Sequence, residues 1–331
     1  MRQREFCKRG LFMGMAGIFL LAAPGRSQQQ EAPKPPSSGA SAKDYVEFGM
    51  ANGAKGDLNG AIEAFNEAIT IDPKYAPAYY NLGIAYSVES RTDDAISEYS
   101  QAIQLDAKNK DAYYRRGCLR GKKGDLDGAL GDFDEVIKLD PKYALAYYNR
   151  GHVFYFKGNL DGAVNDLDEA LRLDPNSSLC HYIRGLIWHA QEHREEALAD
   201  FQKSSGLNFP YAAFWNWITE TEMGRRGAAA EDLLNALKSP AMFKPGDWPS
   251  QIGNFLLDKI TENQLMLQAK AGTEAESQKR LCQAWFYSGI LKHFTGDNKG
   301  AQDCFLKAIA TGSTSSEEFV EANRAVAELQ K

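Results

Sequence analysis

The chain has 331 residues, of which 44% are apolar and 25% are charged, and its formal net charge is −6. This composition is too hydrophobic for an intrinsically disordered protein. Lysine and arginine are scattered along the chain, whereas a protein that binds the phosphate backbone of a nucleic acid needs a dense basic face. Nucleic acid is therefore not expected as a partner. Five cysteines in a chain of this length do not form a disulfide framework.

Residues 1–27 have the layout of a secretory signal peptide. A basic head precedes the uncharged run Leu11–Ala23, and Pro24 and Gly25 follow it. That run is too short to cross a bilayer core, which needs about twenty apolar residues. An uncleaved N-terminal anchor is the alternative. Cleavage would leave a more acidic chain, because residues 1–27 hold five basic residues and one acidic residue.

The sequence after residue 41 repeats with a period of 34 residues. The string Ala78–Asn81 superposes without a gap on Ala112–Arg115 and on Ala146–Asn149. Glycines recur at positions 49, 83, 117, 151 and 185, and alanines recur at positions 61, 95, 129, 163 and 197. A fixed period of this length is typical of repeat architectures.

These recurring positions, together with the Asp-Pro pairs that close three of the units, resemble the tetratricopeptide repeat. The resemblance implies an all-α, right-handed superhelical solenoid of about seven helix-turn-helix units. Small residues such as Gly83 and Ala95 are expected where two helices cross closely. Glycines 56, 124 and 158 are expected to end the first helix of their units in a left-handed conformation.

The period and its interruptions divide the chain into segments. Thr261 with Gln264 is predicted to form a capping box inside the insertion, and Ser315 with Glu318 to start the last helix. The segments are a signal peptide or anchor (1–27), a flexible Pro/Ser/Gln linker (28–41), five regular units (42–209), a degenerate unit (210–238), a helical insertion (239–281), a further unit (282–315) and a capping helix (316–331).

Arginine and aspartate also recur with the period in units three to five. Arg116, Arg150 and Arg184 each precede an acidic residue by sixteen positions, namely Asp132, Asp166 and Asp200. Because the two helices of a unit are antiparallel, we predict an ion pair within each of these units. Two independently solvated charges are the alternative.

No motif predicts catalysis or a cofactor. The string from His189 to His193 matches the His-x-x-Glu-His signature of one class of zinc peptidases. In the repeat register, however, Glu192 occupies the position of the glycine that ends a first helix, so a fortuitous turn sequence is preferred to a metal site. Cys282 and Cys304 are predicted to be unpaired core thiols, with a disulfide as the alternative. An enzyme, a metal and a cofactor are therefore not expected.

The predicted binding surface is a ladder of aromatic and polar residues on the first helices. Tyrosine combines a large contact area with a polar tip and is enriched in interaction hot spots. The alternative is that these rings only pack against the next unit. The predicted residues are Tyr80, Asn81, Tyr114, Arg115, Tyr148, Asn149, His152, Tyr155, Phe156, Tyr182, Phe286 and Phe294.

The carboxyl half carries a narrower resemblance. The runs Phe214–Ile218, Phe255–Leu257 after Trp248, Ile260–Leu265 and Ala284–Gly289 are similar to the C-terminal region of the NlpI family of bacterial lipoproteins. This resemblance implies a homodimeric scaffold on the periplasmic side of a bacterial envelope. Such a scaffold gathers peptidoglycan hydrolases and presents one to a tail-specific protease. The chain lacks the cysteine after the apolar run that would carry a lipid anchor.

We therefore expect an exported, non-enzymatic scaffold that binds proteins or peptides in its groove. It would be periplasmic or membrane-associated on the periplasmic side, without a transmembrane domain beyond the N-terminal signal. A repeat subunit of a secretion or polysaccharide-export assembly is the first alternative. A zinc metallopeptidase built on His189 and His193 is the second.

Overall fold

The computed structural model describes residues 36–37, 39–314 and 316–330, and every regular element in them is an α-helix. The predicted signal peptide and residues 28–35 of the predicted linker lie outside the described residues. The helices are α1 (Ala42–Ala54), α2 (Leu58–Ile71), α3 (Ala76–Val88), α4 (Thr92–Leu105), α5 (Lys110–Lys123), α6 (Leu126–Leu139), α7 (Ala144–Phe156), α8 (Leu160–Leu173), α9 (Ser178–Ala190), α10 (Arg194–Gly206), α11 (Pro210–Glu222), α12 (Arg226–Leu237), α13 (Trp248–Leu256), α14 (Glu262–Ala269), α15 (Glu274–Phe294), α16 (Asn298–Ala310) and α17 (Glu317–Leu329).

The predicted all-α class and the helix-turn-helix repeat are confirmed. Helices α1 to α12 follow one another as short pairs, and each pair is closed by a tight turn. No described helix is both long and apolar enough to cross a bilayer. The chain divides into two compact units, and the division falls after Ala146 in α7. The described residues up to Ala146 are called the N-terminal unit below, and those from Tyr147 onward are called the C-terminal unit.

A polar residue followed three positions later by glycine starts several second helices. Asp57 accepts a hydrogen bond from the backbone N–H of Gly60 at 2.9 Å, and Asp125 does the same with Gly128 at 3.0 Å. Asn159 with Gly162 and Asp297 with Gly300 repeat the arrangement. A Cβ at these glycines would collide with the capping side chain. The recurring Asp/Asn-x-x-Gly strings are the sequence signal of this cap, which was not among the predictions.

The turn between the two helices of a pair needs a left-handed residue. Gly56, Gly124 and Gly158 occupy that position with φ of +86°, +82° and +76°, as predicted. Ser90 and Glu192 hold the same position in two other pairs, with φ of 62° and 63°. A residue with a Cβ is strained there, at a cost of about 1 kcal/mol.

Glycine in the first helix lets an aromatic ring of the second helix approach its backbone. A Cβ at Gly49 would lie 2.5 Å from Phe65 Cε1, and one at Gly83 would lie 2.8 Å from Tyr99 Cε1. Gly185 with Phe201 and Gly289 with Phe305 repeat the contact. The predicted close helix crossing at these positions is confirmed, and it places four buried rings at equivalent points of four pairs.

The segment predicted as an insertion contains α13 and α14. Ile252, Phe255 and Leu265 of these helices are buried in the core of the C-terminal unit. The predicted capping box of Thr261 with Gln264 is present. A second capping box, formed by Thr273 with Glu276, starts α15 at residue 274.

The last helix begins at Glu317, and the hydroxyl of Ser316 accepts the hydrogen bond from the backbone N–H of Phe319. The predicted start at Ser315 lies outside the described residues. The prediction that Cys282 and Cys304 are unpaired is confirmed, because both are buried and free. The Sγ of Cys282 lies 3.4 Å from Ser316 Oγ.

The three predicted ion pairs are confirmed. Arg116 Nη2 donates to Asp132 Oδ1 at 2.6 Å, and Arg150 Nη2 donates to Asp166 Oδ1 at 2.7 Å. Arg184 Nε donates to Asp200 Oδ2 at 2.7 Å, and Nη2 of the same guanidinium donates to Oδ1. Each aspartate is almost fully buried. The pKa of Asp200 is lowered because hydrogen bonds from Arg184 and His181 outweigh the opposing effect of burial.

Gly83→Ala tests the close crossing in the N-terminal unit. The added methyl group would overlap the Tyr99 ring, so we expect the free energy of unfolding to fall by about 1–3 kcal/mol. Gly131→Ala is the matched control, because a Cβ at Gly131, within α6, would meet no neighbouring atom within 4 Å. There the better helix propensity of alanine is expected to stabilise the unit by about 1 kcal/mol. Urea denaturation measures both changes, and equal effects would contradict the crossing argument.

A double-mutant cycle on Arg184→Met and Asp200→Asn tests the ion pair. We expect either single change to cost about 3 kcal/mol, since it removes both hydrogen bonds of the bidentate contact and leaves Asp200 with His181 alone, or Arg184 with the more exposed Asp168. The double variant should recover about 2 kcal/mol of the summed loss. The exposed pair Glu169 and Arg172 is the control and should couple by no more than about 0.5 kcal/mol. If the effects of Arg184→Met and Asp200→Asn on the free energy of unfolding are additive, the ion pair does not stabilise the fold.

Candidate protein-binding site

In the N-terminal unit, the predicted ladder residues of α3 and α5 remain partly exposed. Arg115 Nε donates a hydrogen bond to the hydroxyl of Tyr80 at 3.0 Å, and its guanidinium carbon lies 5.9 Å from the centre of that ring. Tyr80 in turn packs 6.0 Å from the buried ring of Tyr99. These contacts fix the orientation of the Arg115 guanidinium beside the Tyr80 ring.

Tyr114 and Asn81 make different contacts within the protein. The Tyr114 ring packs 5.2 Å from that of Tyr143, which lies at the turn before the next unit. Asn81 uses its amide Nδ2 to donate to the carbonyl of Pro77 in its own helix at 2.8 Å. The amide N–H of Asn81 is thus engaged with its own helix, while the side chain stays partly exposed.

In the C-terminal unit, the structure corrects the predicted ladder. Tyr148, Phe156 and Phe294 are partly exposed, but five predicted residues are buried. The five are Asn149, His152, Tyr155, Tyr182 and Phe286. Tyr182 packs 4.8 Å from Phe209, and Phe286 packs 5.8 Å from Trp215. In the C-terminal unit these two rings are therefore part of the hydrophobic core.

Helix α17 is the reason that the residues of α7 are buried. The hydroxyl of Tyr155 donates to Glu321, and the guanidinium carbon of Arg324 lies 5.0 Å from the centre of the Tyr155 ring. His152 Nε2 lies 3.7 Å from Glu317 Oε1. The polar side chains of the last helix thus contact the first helix of the fourth repeat. These partners were not predicted, although Glu317 and Glu321 are spaced to share one face of α17.

A second carboxylate of α17 is fully buried. Gln283 Nε2 donates to Glu318 Oε1 at 2.9 Å, and Gln283 Oε1 accepts from Trp248 Nε1 at 2.6 Å. Burial, assisted by the neighbouring charge of Glu317, raises the pKa of Glu318 to about 7. The pKa of Glu317 is lowered instead, because the interaction with His152 outweighs burial.

The two histidines of the zinc-peptidase signature have separate partners. His189 Nε2 lies 3.0 Å from Glu222 Oε2, and the same oxygen accepts from Arg194 Nε at 3.0 Å. His193 precedes α10, and its ring stacks 5.5 Å from that of Trp188. No group of three or more His, Cys, Asp or Glu residues is arranged to hold a metal ion among the residues that the structure describes.

The raised pKa of Glu318 predicts a pH dependence of stability. Between pH 4.5 and about 7 the folded state keeps a proton that an exposed glutamate would lose, so stability falls as the pH rises through this window. Glu318→Gln mimics the protonated acid and should remove that fall, leaving the variant more stable than the wild type at pH 8. Thermal unfolding from pH 4.5 to 8 measures this, with Glu328→Gln, an exposed position on the same helix, as the control. A wild-type stability that rises across this window and parallels that of Glu318→Gln would contradict the assignment.

Comparison with known proteins identifies the repeats. Family models described as TPR repeat match residues 54–87 and 119–158. Models described as tetratricopeptide repeat match residues 76–109 and 144–177. No curated protein matches the chain.

Solved structures extend the likeness along the chain. A tetratricopeptide repeat protein from Parabacteroides merdae is 17% identical with a TM-score of 0.55, over 88% of this chain and 99% of that one. The pilF protein of Pseudomonas aeruginosa is 18% identical with a TM-score of 0.53, over 63% and 95% of the two chains. PilW, described as a widely conserved type IV pilus biogenesis factor, is 18% identical with a TM-score of 0.51, over 61% and 96%. At these identities the likeness shows the fold alone.

The matched residues coincide with helix pairs that share one turn geometry, with a left-handed residue at Gly56, Ser90, Gly124 and Gly158. Residues 54–109 and 119–177 therefore form tetratricopeptide repeats.

Proposed function

We propose that this protein is a non-catalytic scaffold of the bacterial cell envelope, which gathers its partners on the first helices of its repeats. Tetratricopeptide repeats support protein–protein interaction as the general role. The observation that carries the proposal is the Tyr80 and Arg115 pair in the N-terminal unit, with Tyr114 one repeat further on. It is an aromatic and cationic surface that the protein's own packing has already oriented.

That surface suits a protein segment that offers a carboxylate or an aromatic ring. Arg115 is partly buried, and its Nε donates to the Tyr80 hydroxyl. A guanidinium has five N–H donors, so its terminal nitrogens can still make a bidentate contact with a carboxylate. Because the side chain is held in place, little conformational entropy is lost when a ligand binds.

The envelope location rests on the sequence. The signal-peptide layout of residues 1–27 supports export, and the resemblance to the NlpI family in residues 214–289 supports the periplasmic side. In this proposal the partners are peptidoglycan hydrolases or a protease that acts with them, and the protein works as a homodimer. A subunit of a secretion or polysaccharide-export assembly would use the same surface for different partners, so partner identity distinguishes the two roles.

The double variant Tyr80→Ala, Tyr114→Ala tests the surface. We expect it to stay helical and to recover about tenfold less partner protein, because truncating aromatic anchors removes most of the affinity of such contacts. The measurement is affinity capture of the tagged full chain from envelope fractions, followed by quantitative mass spectrometry. Cell-wall hydrolases among the lost partners support the proposal, whereas export components would favour the alternative role.

The matched control is the double variant Tyr79→Ala, Tyr113→Ala. These tyrosines adjoin the tested pair in the chain, but Tyr79 bonds to the carbonyl of Pro73 and Tyr113 lies beside Arg116. The control should keep its partners. If both double variants recover every partner while remaining folded, the proposed surface is wrong.

A further inference from the structure

A cavity of about 230 Å³ lies within the C-terminal unit, between first helices of the repeats and the last helix. Of the residues predicted to form the binding ladder, Phe286 alone lines this cavity. Its lining comes from α9, the turn after it and the start of α10, from α11, α15 and α16, and from the α17 residues that face them. Helix α17 therefore completes the cavity as well as covering α7.

The floor of the cavity is aromatic and already packed. Trp215, Phe286 and Phe305 line it, and each is at least 98% buried. Ring centres lie 5.8 Å apart between Trp215 and Phe286 and 5.9 Å apart between Phe286 and Phe305. The indole Nε1 of Trp215 is buried and has no hydrogen-bond partner in the described part of the chain. The floor offers rigid apolar contact and cannot contribute a charge.

Most of the charges around the cavity are already compensated. Glu222 accepts from Arg194 and lies beside His189, while Glu321 accepts from Arg324 at 2.7 Å. His293 Nδ1 lies 3.0 Å from Asn298 Oδ1. Glu192 and Glu328 also line the cavity, and neither makes an ion pair within 4 Å among the described residues, although Arg324 attracts Glu328 at longer range. Four glutamates and two arginines line the cavity, so its rim carries a net negative charge.

The backbone of Glu192 gives an independent reason to single out this rim. Its φ is 63°, at the turn position where five other pairs carry glycine. Glycine would adopt this conformation without strain. Strain that is retained beside a cavity is typical of functional positions. Glu192 itself is one of the residues that line the cavity.

We propose that this cavity receives one apolar side chain of a protein partner that carries a basic residue next to it. The inference rests on the proposed scaffold function and specifies a second contact for it. A volume of about 230 Å³ is below the range of about 300–1,000 Å³ for small-molecule sites, but it accommodates a single phenylalanine or leucine side chain. Glu192 and Glu328 pair with the flanking lysine or arginine.

The test measures binding of short peptides to the full chain by fluorescence anisotropy. The labelled probe is Gly-Arg-Phe-Arg-Gly, compared with Gly-Arg-Ala-Arg-Gly and Gly-Glu-Phe-Glu-Gly. We expect the first probe to bind about tenfold more tightly than either of the others, because burial of a phenylalanine ring and pairing with the rim are each worth about that factor. Equal binding of all three probes, or no binding of the first at millimolar concentration, overturns the proposal.

Two variants assign the binding to the cavity. Ala190→Phe places a ring in the cavity from the α9 wall, and we expect a loss of affinity of about tenfold without loss of helicity. Glu192→Gly removes a rim carboxylate and the backbone strain together, so the midpoint of thermal unfolding should rise while affinity for the basic probe falls about fivefold. Ser90→Gly relieves the same strain in the N-terminal unit and should leave probe affinity unchanged.

The outcomes separate this inference from the proposed function. A folded Ala190→Phe variant that keeps full affinity for the probe refutes the cavity site. The Tyr80 and Tyr114 variants leave the cavity intact, so loss of envelope partners in those variants supports the scaffold role even if the cavity binds nothing. If the peptide probe binds but the Tyr80 and Tyr114 variants lose no partner, the cavity proposal is supported and the proposed N-terminal binding surface is wrong.

Discussion

The close crossing of two helices at glycine is the constraint on which the rest of this structure depends. At Gly49, Gly83, Gly185 and Gly289 an aromatic ring of the second helix lies where a Cβ would be. This contact fixes the distance between the helices of a pair, and hence the direction in which the first helix presents its other side chains. The bidentate pair of Arg184 with Asp200 forms across the same two helices, because the crossing brings a guanidinium within reach of a carboxylate.

The two compact units use the same repeat in different ways. In the N-terminal unit the tyrosines of the first helices stay partly exposed, and Arg115 is held against one of them. In the C-terminal unit α17 supplies Glu317 and Glu321 to His152 and Tyr155, so the equivalent residues become part of the core. Glu321 of this acidic helix thus accepts a hydrogen bond from the Tyr155 hydroxyl, which burial would otherwise leave without a partner. The surface left beside it is a small cavity with an aromatic floor and an acidic rim.

Features that depend on a fixed sequence spacing were predictable. The sixteen-residue interval between Arg184 and Asp200 identified their ion pair, because the geometry of an antiparallel helix pair is local. The register likewise assigned Glu192 to the left-handed turn position. Burial of Tyr155 was not predictable in this way, since its partner Glu321 lies 166 residues further along the chain. The ladder prediction assumed that repetition in sequence means equivalence in environment, and that fails where another helix covers the repeat.

The sequence by itself determined the repeat, its length of 34 residues, the all-α class and the ion pairs of units three to five. These follow from contacts between residues close in the chain, and each is dictated by a few side chains of defined size and charge. Only the tertiary structure decided which aromatic residues face a partner, because exposure depends on where the last helix packs. It also decided that Glu318 is buried beside Gln283, and that Glu192 borders a cavity that α17 completes. Such long-range contacts arise from the complementary shape and charge of whole surfaces, and no periodic pattern encodes them.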